Sequence, residues 1–377
     1  MNFTLSEEQE MLKTSARDFL SEKCPKTMVR DMETDEKGYA PELWQEMAQL
    51  GWMGLAFPES YGGSGMSLLD LSVLLEEMGR ACLLGPFFSS VVLGGLTILD
   101  AGNDEQKQKH LPGIASGEEI FTLALTETGG RYEAGSIGVT ATADGDAYVL
   151  EGTKLFVPDA HIADYLLCVA RTGERSEPAD GITIFIVDAK SPGISHTILK
   201  TISGDKLCEV VLDQVRVPAE NILGQLDQGW RVVQKTIERA AVAKCCDLVG
   251  VLQSVLEMTL DYAKDRKQFD RPIGSFQIIQ HYCADIATDV DGTRFIVGQA
   301  TWMLSEGLPC AKEIAIARAW AGDAYERVIT LAHQIHGAIG CTIDHDLQFY
   351  TKRGKAAVLS YGDGDFYREV VAQQMGL

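Results

Sequence analysis

Glu238 and Arg239 are the one place where opposite charges interrupt an otherwise apolar or small-residue stretch, between Ile237 and Ala240-Ala241. A carboxylate in that company has its pKa raised toward neutrality, as a general base requires. The competing reading is a helix-surface glutamate balanced by Lys235 or Arg239. On residue type alone it is the stronger one, because Glu is seldom buried. Further on, Arg266 opens the string RKQFDRPIGSFQIIQ. A guanidinium fork suits phosphate oxygens, and a surface Arg at the end of a helix is the plainer alternative. The cluster Pro58 to Gly65, PESYGGSG, lacks the G-x-G-x-x-G order, the preceding buried strand and the Gly-Lys-Ser/Thr ending of a phosphate loop, so it reads as a turn. Nine cysteines without CxxC or Cys/His spacing argue against zinc or any other metal site and against a disulfide framework. They point to a reducing, cytoplasmic compartment, and the vicinal Cys245-Cys246 reads as helix packing.

These residues need elements to hold them. Val233, Ile237, Ala240, Leu248, Val251, Val255, Thr259 and Tyr262 recur at helical spacings with no proline before Pro272. A helix over Trp230 to Lys267 would be a rod about 55 Å long, which needs partners along its length. Residues 1–118 read as helices joined by glycine-rich turns: one opened by a Ser6/Gln9 capping box and running to Leu20, one over Pro41 to Leu50, one over Leu68 to Arg80. Residues 119–224 change to short β-rich runs: Ile120 to Thr126, Val139 to Thr142, Ala147 to Glu151, Thr153 to Val157, Tyr165 to Arg171, Gly181 to Val187 and Leu207 to Val211. With no helices between them they predict an antiparallel barrel or sandwich, closed at Val217-Pro218. Residues 225–377 continue with helices over Ala284 to Ser305, Ala311 to His336 and Leu347 to Ser360, then an acidic turn, Tyr361 to Asp365, expected to be flexible. The expected fold class is α+β multidomain, ending in a four-helix bundle.

At 377 residues and 46% hydrophobic, the chain can fill two or three cores. A formal net charge of −21 argues against nucleic-acid binding and against docking on an anionic membrane. The start, MNFTLSEEQEMLKTSARDFL, alternates charged and apolar residues and has no signal-peptide pattern. No apolar run reaches the length needed to span a bilayer.

The order of helical, β and helical regions, together with Leu50-Gly51-Trp52, PESYGGSG, LALTE (residues 123–127), Lys154 to Val157, VRVPAENILG (215–224), RKQFDRPIGSFQIIQ (266–280) and QIHGAIG (334–340), resembles the acyl-CoA dehydrogenases over essentially the whole chain. The resemblance implies FAD bound without a Rossmann fold at a subunit interface, an acyl-CoA thioester lying across the flavin, and an electron-transfer flavoprotein as electron acceptor. It also implies a homo-oligomer, or a hetero-oligomer with a related subunit. Arg266 and Phe269 match the family's pyrophosphate and adenosine contacts. Gln277 and the Gln334–Gly337 turn, with Ala338, match the segment that one subunit lends to its neighbour's flavin. Leu125, Thr126 and Phe156 match residues facing the flavin ring, and Arg239 is carried over as substrate-binding.

Several positions depart from the family pattern. Phe156 stands for a tryptophan, Ala338 for a second glycine, and Pro158, which has no N–H, for a threonine. TGGRYEAGS, after Glu127, lacks the Gly-Ser-Asp element. Where most of the family places its base in a Tyr-Glu-Gly turn, this chain has Tyr361-Gly362-Asp363. In branches resembling isovaleryl-CoA dehydrogenase the base precedes an arginine on the long helix, and Glu238 matches it. The resemblance thus implies α-proton abstraction by Glu238 with β-hydride transfer to flavin N5. The alternatives are a non-catalytic partner that completes a related chain's FAD site, or an oxidase; Asp363 is the rival base.

Overall fold

The computed structural model describes residues 4–173 and 177–377. Met1–Phe3, the start of the stretch with no signal-peptide pattern, lie outside them.

The N-terminal region is helical: α1 (Glu7–Lys23), α2 (Lys26–Thr34), α3 (Pro41–Gln49), α4 (Leu68–Ala81), a π-helix (Phe88–Gly95), α5 (Leu96–Ala101) and α6 (Asp104–Ala115). The expected capping box is present. Ser6 Oγ accepts the Gln9 N–H at 3.2 Å and Gln9 Oε1 accepts the Ser6 N–H at 3.1 Å, satisfying two orphan donors at the helix start. Asn103 and Gln106 repeat the device on α6.

Eight strands follow: β1 (Phe121–Ala124), β2 (Thr140–Asp144), β3 (Ala147–Pro158), β4 (Tyr165–Arg171), β5 (Ile182–Asp188), β6 (Ile194–Leu199), β7 (Leu207–Pro218) and β8 (Ile222–Leu223). They form one sheet in the order β6-β7-β3-β2-β4-β5-β8, with β1 pairing β4 off this path. The expected runs at 147–151 and 153–157 are one strand, bent by an irregularity between Leu150 and Gly152. Gly152 has φ 139°, and a Cβ there would come within 2.8 Å of Val139. The pairing is mainly antiparallel, but β1–β4 runs parallel and β2–β4 is parallel at Thr140–Arg171. β6 escaped notice because its side chains are almost all exposed, so it shows no apolar alternation.

The C-terminal region comprises α7 (Trp230–Asp265), a hairpin of β9 (Lys267–Gln268) and β10 (Arg271–Pro272), α8 (Gln277–Ser305), α9 (Ala311–His336), α10 (Leu347–Leu359) and α11 (Gly364–Gln374). The turn at Tyr361–Asp365, expected to be flexible, is fixed. Buried Arg318 on α9 donates to the Ser360 and Gly362 carbonyls at 2.7 and 2.6 Å, and Asp363 caps α11 by accepting the Phe366 N–H at 2.9 Å.

The described chain divides into two compact units: Met1–Arg30, Leu68–Leu83 and Ala241–Leu377 make one, and Asp31–Ser67 and Leu84–Ala240 the other. In the first, α4 and α7 meet backbone to backbone. A Cβ on Gly79 would lie 1.9 Å from the Asp247 carbonyl oxygen, and one on Gly250 would lie 1.8 Å from that of Glu76. Gly250→Val must therefore push the helices apart. Its expected effect is a loss of about 3 kcal/mol, the upper range for overpacking, read as a lowered midpoint in urea denaturation.

Candidate functional site

Glu238 is half-buried on α7, and burial pushes its carboxyl up from the usual range, opposed by a hydrogen bond from Gln234 Nε2 at 3.2 Å. One residue on, Arg239 is buried. Its terminal nitrogens donate to Asp100 Oδ2 at 2.6 Å and Thr97 Oγ1 at 3.2 Å, both on α5. Lys235 Nζ reaches the other Asp100 oxygen at 2.7 Å, and Thr97 Oγ1 lies 2.9 Å from Thr236 Oγ1. Arg239, carried over as a substrate contact, is thus already committed to Asp100, and what it fixes is the helix turn carrying Glu238. Asp363 has its carboxylate engaged as a helix cap.

The β-rich side brings Leu125, Thr126 and Phe156 together. The Leu155 N–H donates to the Thr126 carbonyl at 2.8 Å, joining the chain leaving β1 to β3. Between Lys154 and Val157 the register with β7 skips, and Phe156 sits there at φ 55° with half its surface exposed. A non-glycine residue at positive φ is strained, and a strand irregularity presenting an exposed aromatic re-aims a side chain toward a binding surface. Beneath it Lys154, with 0% of its surface exposed, donates to Glu127 Oε1 at 2.6 Å and to the Leu125 carbonyl at 3.1 Å. Pro158 contributes its carbonyl to Thr122 Oγ1 at 2.5 Å.

The helical side holds the remaining candidates. Phe269 and Asp270, at φ 51° and 62°, form the two-residue turn of the β9–β10 hairpin, which leaves Phe269 86% exposed. Arg266, just before β9, is exposed and has no ion pair among the described residues. Gln277 begins α8, whose first turn has no side-chain cap and so leaves backbone N–H groups open. Gln334, Gly337 and Ala338 are exposed at the end of α9, where Gly337 has φ 66° and ψ −146°. Tyr262 stacks on buried His336 with ring centroids 4.5 Å apart, tying that end to α7.

An unpaired guanidinium, an uncapped helix start and a free aromatic face suit the diphosphate and adenine of a dinucleotide. The residues present therefore fit the ADP half of FAD; on the β-rich side Phe156 offers an exposed aromatic face, while Leu125 and Thr126 are buried. Sequence reasoning missed Lys154, Glu127, Asp100 and Thr97 as parts of the site. A lysine within a strand was the available signal for the first and the LALTE string for the second, and nothing in the pattern marked Asp100 or Thr97. No group of three or more metal-binding side chains occurs among the described residues, and none of their helices is long and apolar enough to cross a membrane.

Sequence profiles match in order: acyl-CoA dehydrogenase, N-terminal domain, over residues 6–118; middle domain, over 122–215; and C-terminal domain, over 227–376. The probable acyl-CoA dehydrogenase YngJ of Bacillus subtilis (strain 168) is 33% identical over 380 residues, 100% of each chain. The caffeyl-CoA reductase-Etf complex subunit CarC of Acetobacterium woodii is 33% identical over 341 residues, 89% of each. A chain in the crystal structure of the ChsE4-ChsE5 complex from Mycobacterium tuberculosis superposes with a TM-score of 0.90 at 30% identity, covering 100% of this chain and 99% of that one.

The Asp100–Arg239 pair makes a pH-dependent prediction. Burial pushes the Asp100 carboxyl up, but Arg239 and Lys235 outweigh it and hold the group below its usual range. A carboxylate depressed by folding stabilises above its unfolded pKa, near 3.9, and loses that contribution as pH falls through its folded value. Asp100→Asn should cost about 3 kcal/mol at neutral pH. The gap to wild type should close as urea denaturation is repeated below about pH 4.

Proposed function

The chain belongs to the acyl-CoA dehydrogenase family, and from that premise we propose that it oxidises an acyl-CoA thioester across Cα–Cβ, with Glu238 as the base that removes the α-proton. The observation that carries this assignment is the half-buried Glu238 carboxyl, whose pKa burial raises while the usual alternative is spent: Gly362 has no side-chain carboxyl and Asp363 caps α11. A raised pKa makes the carboxylate a stronger base toward the substrate α-proton. FAD, the family's cofactor, accepts the β-hydride when bound. Leu125, Thr126 and Phe156 would hold its ring; Arg266 and Phe269, with Gln277, Gln334, Gly337 and Ala338 from a second subunit, would hold the rest. Arg239, through Asp100, keeps the Glu238 turn in place. In reverse the same groups hydrogenate an enoyl thioester, the direction in the A. woodii relative's name.

An electron-transfer flavoprotein is the proposed electron partner, supported by that relative's description as an Etf-complex subunit. The nine cysteines are all free thiols, which supports a reducing, cytoplasmic setting. Domain limits near residues 118 and 224 belong to the same reading. A second reading, a partner subunit completing another chain's FAD site, is favoured by Pro158, which cannot donate an N–H, and by the likeness to a two-protein complex.

A catalytic chain purified alone should be yellow and bleach anaerobically with a suitable acyl-CoA; a partner chain should stay inert until its mate is added. Glu238→Gln keeps shape and hydrogen bonding but cannot take the proton, so flavin reduction should slow by ~10²–10⁴-fold while FAD binding survives. Asp363→Asn should reduce its flavin at the wild-type rate, and a normal Glu238→Gln beside a slow Asp363→Asn would move the base to the C-terminal turn. The wild-type rate should also fall as pH drops through a pKa above the ordinary glutamate value near 4.3, because the protonated base is idle.

A further inference from the structure

A lysine ammonium with no solvent exposure is expensive to desolvate, and replacing a buried ion pair by apolar residues of similar size is often neutral or stabilising. Lys154 therefore calls for a reason beyond stability. Its two acceptors bracket Thr126: the Leu125 carbonyl at 3.1 Å on one side and the Glu127 carboxylate at 2.6 Å on the other. Glu127 in turn accepts the Gly138 N–H at 2.9 Å through Oε2 and the Val139 N–H at 3.1 Å through Oε1. A Cβ on Gly138 would already stand 3.1 Å from that Oε2. Along the strand, Lys154 is the last residue in ladder register, opposite Val210, before the skip that carries Phe156. One ammonium thus joins the chain leaving β1, the loop entering β2 and the irregular end of β3.

We propose that Lys154 is a positioning residue: with Glu127 it sets the placement of Leu125 and Thr126 relative to Phe156, and so the seat of the flavin ring. The inference rests on the FAD-dependent reading above. Hydrogen bonds are directional and an ammonium distributes three of them around a fixed nitrogen, so a charged hub locates backbone groups where an apolar contact would let them slide.

The test compares wild type, Lys154→Met and the double variant Lys154→Met/Glu127→Gln. Lys154→Met leaves the Glu127 carboxylate without its counter-ion, so the apoprotein should melt lower and FAD should bind at least about tenfold more weakly. The double variant removes both charges and should recover most of the melting temperature. Its FAD affinity should nonetheless stay about tenfold down, with the flavin's visible absorption band displaced from wild type. Wild-type affinity and band shape in the double variant would reduce the pair to scaffolding and overturn the proposal. Amide hydrogen exchange on the apoproteins separates this from the cofactor reading. In the double variant, Gly138, Val139 and Leu155 should exchange about tenfold faster while β5 amides hold their wild-type rates. If wild type takes up no FAD, alone or with a partner subunit, the cofactor reading fails. Lys154 is then judged on exchange alone, where unchanged rates at those three amides refute the anchoring.

Discussion

A cation taken out of water must find acceptors, and in this protein that requirement ties together distant parts of the chain at three places. Lys154, Arg239 and Arg318 are all buried, and each is met by groups from a different part of the chain: Glu127 and the Leu125 carbonyl, Asp100 and Thr97, and the carbonyls around Ser360 and Gly362. Desolvating such ions costs several kcal/mol, so leaving any of them unmet is not an option the fold can tolerate. The acceptors are main-chain carbonyls and the side chains of Glu127, Asp100 and Thr97, which turns an energetic requirement into a positional one. The surface around Phe156, the turn bearing Glu238 and the turn at Tyr361–Asp363 inherit their shapes from these three contacts.

Much of the architecture was legible beforehand because it rests on local signals. The Ser6 capping box, the start of α3 at Pro41, strand β4 and the full span of α9 stand where spacing and capping chemistry predicted. What escaped was structure whose cause is tertiary. β6 has no apolar face to advertise itself, and α11 begins in a string of glycines and aspartates that reads as loose until Arg318 and the Asp363 cap are seen to hold it. The parallel β1–β4 pairing likewise depends on long-range topology that no window of residues contains.

For the site, residue identity foretold more than residue behaviour. The neighbours of Glu238 indicated a perturbed carboxyl, and burial does raise its pKa. Arg239 pairs with Asp100, which lies far away in sequence, and such an ion pair leaves no local signature. Phe156 was noted as an aromatic in a tryptophan's place. Its positive φ and the register skip that exposes it are properties of paired strands, invisible until both strands are in hand.

The division of the chain into interleaved segments bears on how the protein is made. The unit that contains α1 and α4 is completed only by residues from Ala241 onward, after a long excursion through the other unit. At ordinary translation speeds of about 5–20 residues per second, α4 waits roughly 10–40 s for α7 and α8, against which it finally packs. During that interval the apolar faces of α1 and α4, including Leu20, Leu71, Leu74 and Met78, have only each other for cover. The nascent chain is therefore a natural client for a chaperone on the ribosome. The β-rich unit, closed once Ala240 has emerged, can mature while its companion is still being synthesised.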